Sequence, residues 1–325
     1  MSRVIRKIKA IWCAIKDYHI ERNLFGNTVA NACFRKKLGM IPLDEYLETI
    51  SFWMGNELVH VIDDFKEGKS EIPIAKKNMG DIIPVWVCWL QGREYMPEWC
   101  NTCVDQLGTQ LEQNQKMFFL SFDNISEYVD LPDYIYDLLH CGKMTNVAFS
   151  DVLRHALLAA YGGIWIDSAI YITNRPFRDL KQYKFWTVNF ADDNYVLQDA
   201  SRGKWINGLL YSKVRGEISV FCYSALLYLW KKRERIIDYL QLDYIIWTAY
   251  TRLPEIKRLI DAVPISNCSI RVLNSHLNDI YDKTIFEEIT RNQDIHLVNR
   301  HISYLKEYEG KPTIYGVLTN RNEIL

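Results

Sequence analysis

Asp151, Arg154 and Asp167, with Gly162 and Gly163 between the last two, are the residues of this chain whose types and spacing are best suited to chemistry. They lie in FSDVLRHALLAAYGGIWIDSAIY, residues 149 to 171. Phe149, Val152, Leu153, Ala156, Leu157 and Ala160 recur at the i, i+3, i+4 and i+7 steps of an amphipathic helix, which puts Asp151, Arg154 and His155 on the opposite face. Ser150 or Asn146 is placed to cap its start. The two glycines tolerate positive φ where the helix gives way to a strand. Ile164 to Ile166 reads as a short apolar strand, so Asp167 stands at its carboxyl end, the edge where open α/β sheets bind their ligands. A carboxylate buried there without a partner is costly. Arg154 or a divalent cation supplies one, and the whole combination is that of a phosphate-and-metal site.

FSDxLR followed by YGGIWIDS resembles the capsular polysaccharide synthesis family of glycosyltransferases, whose relatives carry a D-x-D motif in their sugar-binding region. The similarity extends from Trp86 to about Tyr308 and takes in W-x-Q-G at Trp89 to Gly92, Lys204-Trp205, and I-D-Y-x-x-x-D-Y from Ile237 to Tyr244. It implies a GT-A-like fold, a nucleotide-sugar donor, and a motif carboxylate that reaches the diphosphate through Mn²⁺ or Mg²⁺. By the same resemblance Trp89, Gln91 and Gly92 belong to the nucleotide-base site. Asp151, Arg154, Gly162, Gly163, Asp167, Ser168 and Trp205 contact the nucleotide sugar. Arg154 and Lys204 meet the charge of the departing diphosphate, and Asp243 sits near the anomeric carbon. His301 joins Asp167 as a late metal or diphosphate ligand, although Asn299-Arg300-His301 departs from the family's usual ending. A second departure is Asp167-Ser168-Ala169, which lacks the second acid of D-x-D. One carboxylate with substrate phosphates still suffices for Mg²⁺. Relatives retain the anomeric configuration, which needs no dedicated base and fits a chain without the paired carboxylates of a hydrolase. The resemblance points to UDP-galactose first, with UDP-glucose, UDP-N-acetylhexosamines and GDP-mannose open, and to a saccharide or lipid-linked saccharide acceptor.

Several elements must position these groups. Ile82 to Leu90 reads as a buried strand, Pro97 to Gln113 as a helix, Met117 to Phe122 as a second strand, and Lys184 to Phe190 and Trp205 to Tyr211 as later strands. Alternating strands and helices predict an α/β, GT-A-like fold: a mostly parallel sheet flanked by helices, with a helical N-terminal arm and a helical C-terminal half. Right-handed crossovers then bring Gln91-Gly92 and Asp167 to one edge. Asp192, Asp193 and Asp199 fall in a polar loop that suits acceptor hydroxyls or plain solvent. From Glu217 the pattern is helical through Trp230 and the KKRER run, and again from Ile236 to Tyr250. On one helix Asp238 and Asp243 point apart, which favours Asp243 for the site and leaves Asp238 structural.

Residues 1–80 are expected to form a helical, basic region and residues 81–325 the glycosyltransferase domain. Arg3, Arg6, Lys7, Lys9 and Lys16 precede the first acid, Asp17, and alternate with Val4, Ile5, Ile8, Ile11, Trp12 and Ile15. Such a basic amphipathic helix suits peripheral contact with a membrane surface, and equally suits packing on the catalytic domain. It is too interrupted to span a bilayer and lacks a secretory h-region. A net charge of −1 gives no basic footprint for nucleic acid. The 49% hydrophobic and 24% charged composition fits a substantial core, and the 13% aromatic share suits sugar stacking as well as packing. Eight cysteines without zinc-site spacing fit a reduced, cytoplasmic setting, on the inner face of the membrane if the arm binds there. Trp99-Cys100-Asn101-Thr102-Cys103 imitates a thioredoxin-like W-C-x-x-C, but Cys100, Cys103, Val104, Leu107 and Leu111 form an apolar stripe that turns both thiols inward. The other alternative is a catalytically inactive sugar-binding or scaffold protein, favoured by Ala169.

Overall fold

The structure is a computed structural model that describes residues 3–192, 195–266, 269–291 and 293–320. Asp193 and Cys268 lie outside the described residues.

Four helices open the chain. α1 (Arg3–Phe25) and α2 (Asn27–Lys37) form a hairpin broken at Gly26, whose φ of 88° is a conformation few side chains accept. Lys37 closes the hairpin by pairing with Asp17 at 2.9 Å and Glu21 at 2.8 Å. α3 (Leu43–Glu57) starts after Pro42 with Asp44 and Glu45 in its first turn, where acids favour the helix dipole. α4 (Val59–Lys66) follows directly. Val29, Ile50, Met54 and Val61 from these helices join the same hydrophobic core as Trp86, Leu153 and Trp165, so the core runs across residue 80.

The sheet is built from β1 (Ile83–Cys88), α5 (Glu98–Thr109), β2 (Gln115–Leu120), α6 (Asp133–His140), α7 (Asn146–Tyr161), β3 (Gly163–Ile166), β4 (Ile170–Ile172), β5 (Phe185–Thr187) and β6 (Leu209–Ser212), β4 lying outside it. The strand order is β2-β1-β3-β6-β5; β1 is parallel to β2 and β3, and β6 runs against both of its neighbours. Trp86 pairs with Trp165 in register, which aligns the carboxyl ends of β1 and β3. The predicted mostly parallel, helix-flanked sheet is present.

α7 is buried on nearly every side, from Ala148 to Tyr161, and His155 is fully enclosed rather than solvent-facing. Burial holds His155 neutral, far below its ordinary pKa. Its cap is Thr145, whose hydroxyl accepts from Ala148 N at 3.2 Å; Ser150 instead donates to Val147 O at 2.7 Å, and Asn146 is the first helical residue. Gly163 has φ 90°, and a Cβ there would come within 2.2 Å of the Pro84 carbonyl. At Gly162, with φ 67°, a Cβ would meet Val214 N at 2.6 Å. These glycines let β3 pack tightly between its neighbours.

α8 (Glu217–Arg233), α9 (Gln241–Arg252), α10 (Pro254–Asp261), α11 (Val272–His276) and α12 (Lys283–Arg291) form the later helices. β7 (Ile295–Leu297) pairs antiparallel with β4, β8 (Glu307–Tyr308) pairs with β9 (Lys311–Pro312), and α13 (Ile314–Thr319) follows. Glu57 of α3 clamps α8 by accepting from Lys232 at 2.8 Å and Arg233 at 2.7 Å. The KKRER run does not carry helix onward: Glu234 caps α8 in the left-handed region at φ 52°. Asp238 therefore lies in the connecting turn, not on one helix with Asp243. There it accepts from Tyr46 at 2.6 Å and Lys36 at 2.8 Å, tying the N-terminal helices to the start of α9. Trp205 to Gly208 form a turn ahead of β6 rather than the first half of a strand.

Candidate active site

A cleft opens at the carboxyl ends of β1 and β3. Cys88 to Gln91 line it from β1 and its end, Trp165 and Asp167 to Ala169 from β3 and its end, Asn146, Val147, Ser150 and Arg154 from α7, Tyr239 from the turn before α9, and Arg300 and His301 from the chain beyond β7. The crossover geometry that aligns parallel strand ends puts these distant segments together.

Asp167 is held from three sides. Its Oδ1 accepts from Trp165 Nε1 at 2.9 Å and lies 3.4 Å from Arg154 Nη2, while its backbone N–H donates to the Gly208 carbonyl at 2.7 Å. The side chain stays 46% exposed to the cleft. Arg154 is only 4% exposed, and its guanidinium lies 5.0 Å from the Trp165 ring centre. Its Nη1 is 3.3 Å from Asp151 Oδ1, so the arginine is wedged between two carboxylates. Burial pushes the Asp151 carboxyl up to about 6 against the pull of Arg154, with repulsion from Asp167 adding to the rise.

Beneath Asp167 lies a second layer that sequence spacing did not reveal. Asp243, 6% exposed, accepts on Oδ1 from Trp205 Nε1 at 2.8 Å and from Asn207 Nδ2 at 2.9 Å. The next residue, Gly208, touches the Asp167 carboxylate: a Cβ there would sit 2.8 Å from Oδ2. Asp243 thus fixes the turn against which Asp167 rests. Burial raises its carboxyl to about 7, with Asp199 adding repulsion, although Trp205 and Asn207 stabilise the anion.

The expected site residues divide accordingly. Asp167, Ser168, Arg154, Trp89, Gln91 and His301 share the cleft, and Asp151 backs it. Gly92 turns the chain away at φ 98°, and Gly162 and Gly163 lie behind the site, packed on backbone. Trp205 and Asp243 face each other inside the protein, where neither touches the cleft. Lys204 is drawn off to the surface: it pairs with Asp261 at 3.3 Å and lies over the Tyr250 ring. Tyr239 and Arg300 line the cleft although neither was singled out. Tyr239 stood inside the I-D-Y motif and Arg300 beside His301, so adjacency to a motif was the only signal. Cys100 and Cys103 are buried on α5, and burial raises both thiols, which removes the nucleophile a dithiol reductase needs.

The model of the capsular polysaccharide synthesis protein family matches residues 46–318. The chain belongs to that family. The match begins in α3 and runs through the whole cleft into α13, so the cleft is part of the family's common region. Membership carries a glycosyltransferase-like role in capsular polysaccharide synthesis. No curated protein matches the chain at a significant level. Among the described residues no helix is long and apolar enough to cross a membrane.

Within this family member the cleft is poorly suited to a divalent cation. Asp167 and His301 both reach it, but among the described residues no group of three His, Cys, Asp or Glu side chains gathers to hold a metal. One oxygen of Asp167 is already taken by an indole N–H and a guanidinium. Ala169 offers no side-chain donor where a D-x-D motif would place its second acid.

Proposed function

We propose that this protein is a glycosyltransferase that moves a hexose from a nucleoside diphosphate sugar to a saccharide hydroxyl during capsular polysaccharide assembly, with retention at the anomeric carbon. The observation that carries this reading is Asp167, held at the carboxyl end of β3 by Trp165 and Arg154 yet half open to a cleft that also holds Arg300 and His301. Cationic donors at a strand edge meet the charge that grows on a departing diphosphate. Exposed Tyr239 at the mouth offers a ring face for a sugar's C–H surface. UDP-galactose is the donor to try first, followed by UDP-glucose, UDP-N-acetylhexosamines and GDP-mannose.

A peripheral membrane position on the cytoplasmic side is part of the proposal. α2 ends opposite Asp17 and Glu21, and Ile11, Trp12 and Ile15 are exposed on α1, Trp12 at 67%. Together with exposed Lys16 of the same helix they make a surface suited to anionic lipid, which would hold the enzyme near a lipid-linked acceptor.

Calorimetry of UDP and GDP binding to wild type and Asp167→Ala, followed by sugar-release assays with the four donors, tests the enzyme reading. Binding of one nucleotide and donor turnover lost in Asp167→Ala support it. Failure of both nucleotides to bind in any buffer transfers the weight to a sugar-binding scaffold.

A further inference from the structure

We propose that the donor diphosphate is neutralised by two guanidiniums, Arg154 from the cleft floor and Arg300 from its rim, instead of by a divalent cation. The proposal rests on the glycosyltransferase reading above and concerns how that same site handles charge.

Arg154 supplies the floor. It is almost wholly buried, yet among the described residues its Nε and Nη1 have no hydrogen-bond partner, the Asp151 contact at Nη1 being an ion pair without hydrogen-bond alignment. A buried donor left unpaired carries a desolvation cost that an incoming anion removes. Arg300 supplies the rim. Its guanidinium lies 5.2 Å from the Trp89 ring centre, a stacking that steers the long side chain over the cleft, and it is exposed. Among the described residues no carboxylate lies within ion-pair distance of it, in contrast to Lys204, which Asp261 engages. One arginine is thus fixed beneath the ligand and a second is free above it. Guanidiniums bind phosphate oxygens through paired N–H donors and cannot lose their charge near neutral pH.

The metal-ligand set of the cleft is weak, with Asp167 and His301 as its acidic and imidazole side chains. Where a D-x-D motif has its second acid this chain has Ala169, and the cation that a metal would have supplied is present as Arg300. In the transfer step the bond between the anomeric carbon and the β-phosphate oxygen breaks as the acceptor oxygen bonds to that carbon. The electron pair stays on the phosphate, the acceptor proton passes to a phosphate oxygen, and the products are a glycoside and a nucleoside diphosphate. Both arginines meet charge on the same leaving group, so the step balances without a metal.

The test is calorimetric titration of the full chain with UDP, GDP, inorganic pyrophosphate and uridine, in EDTA and in Mn²⁺, for wild type, Arg300→Gln and Arg300→Lys. The expected result is diphosphate binding that survives EDTA, weakens at least about tenfold in Arg300→Gln, the scale of one charge-assisted hydrogen bond, and partly recovers in Arg300→Lys, with uridine affinity unchanged. Because Arg300 is exposed and unpaired by carboxylates, its melting temperature is expected to match wild type. Binding that requires Mn²⁺ and ignores Arg300→Gln overturns the proposal while leaving a nucleotide-sugar enzyme standing. Absence of nucleotide binding in both buffers overturns the enzyme reading and this proposal with it.

Discussion

Replacing Asp243 by Asn separates its two candidate roles. Both hydrogen bonds that Asp243 accepts end on Oδ1, which an Asn carbonyl oxygen reproduces, so Asp243→Asn keeps the links to Trp205 and Asn207 and removes only the ionisable oxygen. The folded carboxyl titrates at about 7 against 3.8 for an ordinary Asp, because burial disfavours its anion. The folded state therefore binds a proton that the unfolded chain releases, and wild-type stability falls as pH rises from about 4 to about 7, then levels off. A rise of about 3 pH units at 1.36 kcal/mol each corresponds to about 4 kcal/mol. At about 2 °C per kcal/mol for a chain of this size, Asp243→Asn is expected to match wild type near pH 4 and to melt about 8 °C higher at pH 8. Differential scanning fluorimetry across that range measures it. Turnover in the same variant is expected to stay within a few fold, whereas loss of a group acting on the reacting sugar costs about a hundredfold or more. Parallel melting curves, or a collapse of turnover without a stability change, refute the positioning role.

Three further outcomes follow from the geometry. Gly208→Ala drives a Cβ to 2.8 Å from Asp167 Oδ2 and 3.4 Å from Ile170 Cδ1. The carboxylate must then yield by about 0.6 Å, and kcat/KM is expected to fall about ten- to a hundredfold with little change in melting temperature; an unaltered kcat/KM shows that the turn does not support Asp167. Thiol titration with a chromogenic disulfide is expected to show rapid reaction at exposed Cys13 and Cys141, while buried Cys100 and Cys103 react only on unfolding, so Cys100→Ser leaves the fast phase intact. Loss of a fast thiol in that variant, with insulin reductase activity in wild type, revives the dithiol alternative. Trp12→Glu is expected to reduce flotation with anionic phosphatidylglycerol vesicles several-fold, since it puts a charge on the exposed apolar face; equal flotation places the membrane contact elsewhere.

The central block was legible because its signals are local. Helical spacing through α7, two glycines needing positive φ, and an apolar strand ending in an acid all lie within one short stretch, and the structure has α7, β3 and Asp167 where that pattern put them. Trp205 lies away from the cleft and donates to buried Asp243, and a basic-aromatic pair looks the same in sequence whether its ring faces a ligand or a buried acid. The stop at Glu234 was hidden by good helix formers on both sides; a single residue at φ 52° moved Asp238 off the helix. The first N-terminal helix showed its rhythm in the sequence, but the embedding of the N-terminal helices in the common core through Tyr46, Asp238 and Glu57 did not show there.

The mostly parallel α/β architecture, the strand-end acid and the family could be read from residue order, because period, glycine placement and contiguous motifs are properties of neighbours along the chain. Which charges meet depends on how the folded elements cross. Arg300 stands over Trp89 and Lys204 is spent on Asp261, although 211 and 57 positions separate the members of those pairs. Side-chain partners are selected by burial and by the crossing of distant elements, and neither leaves a local trace in the order of residues.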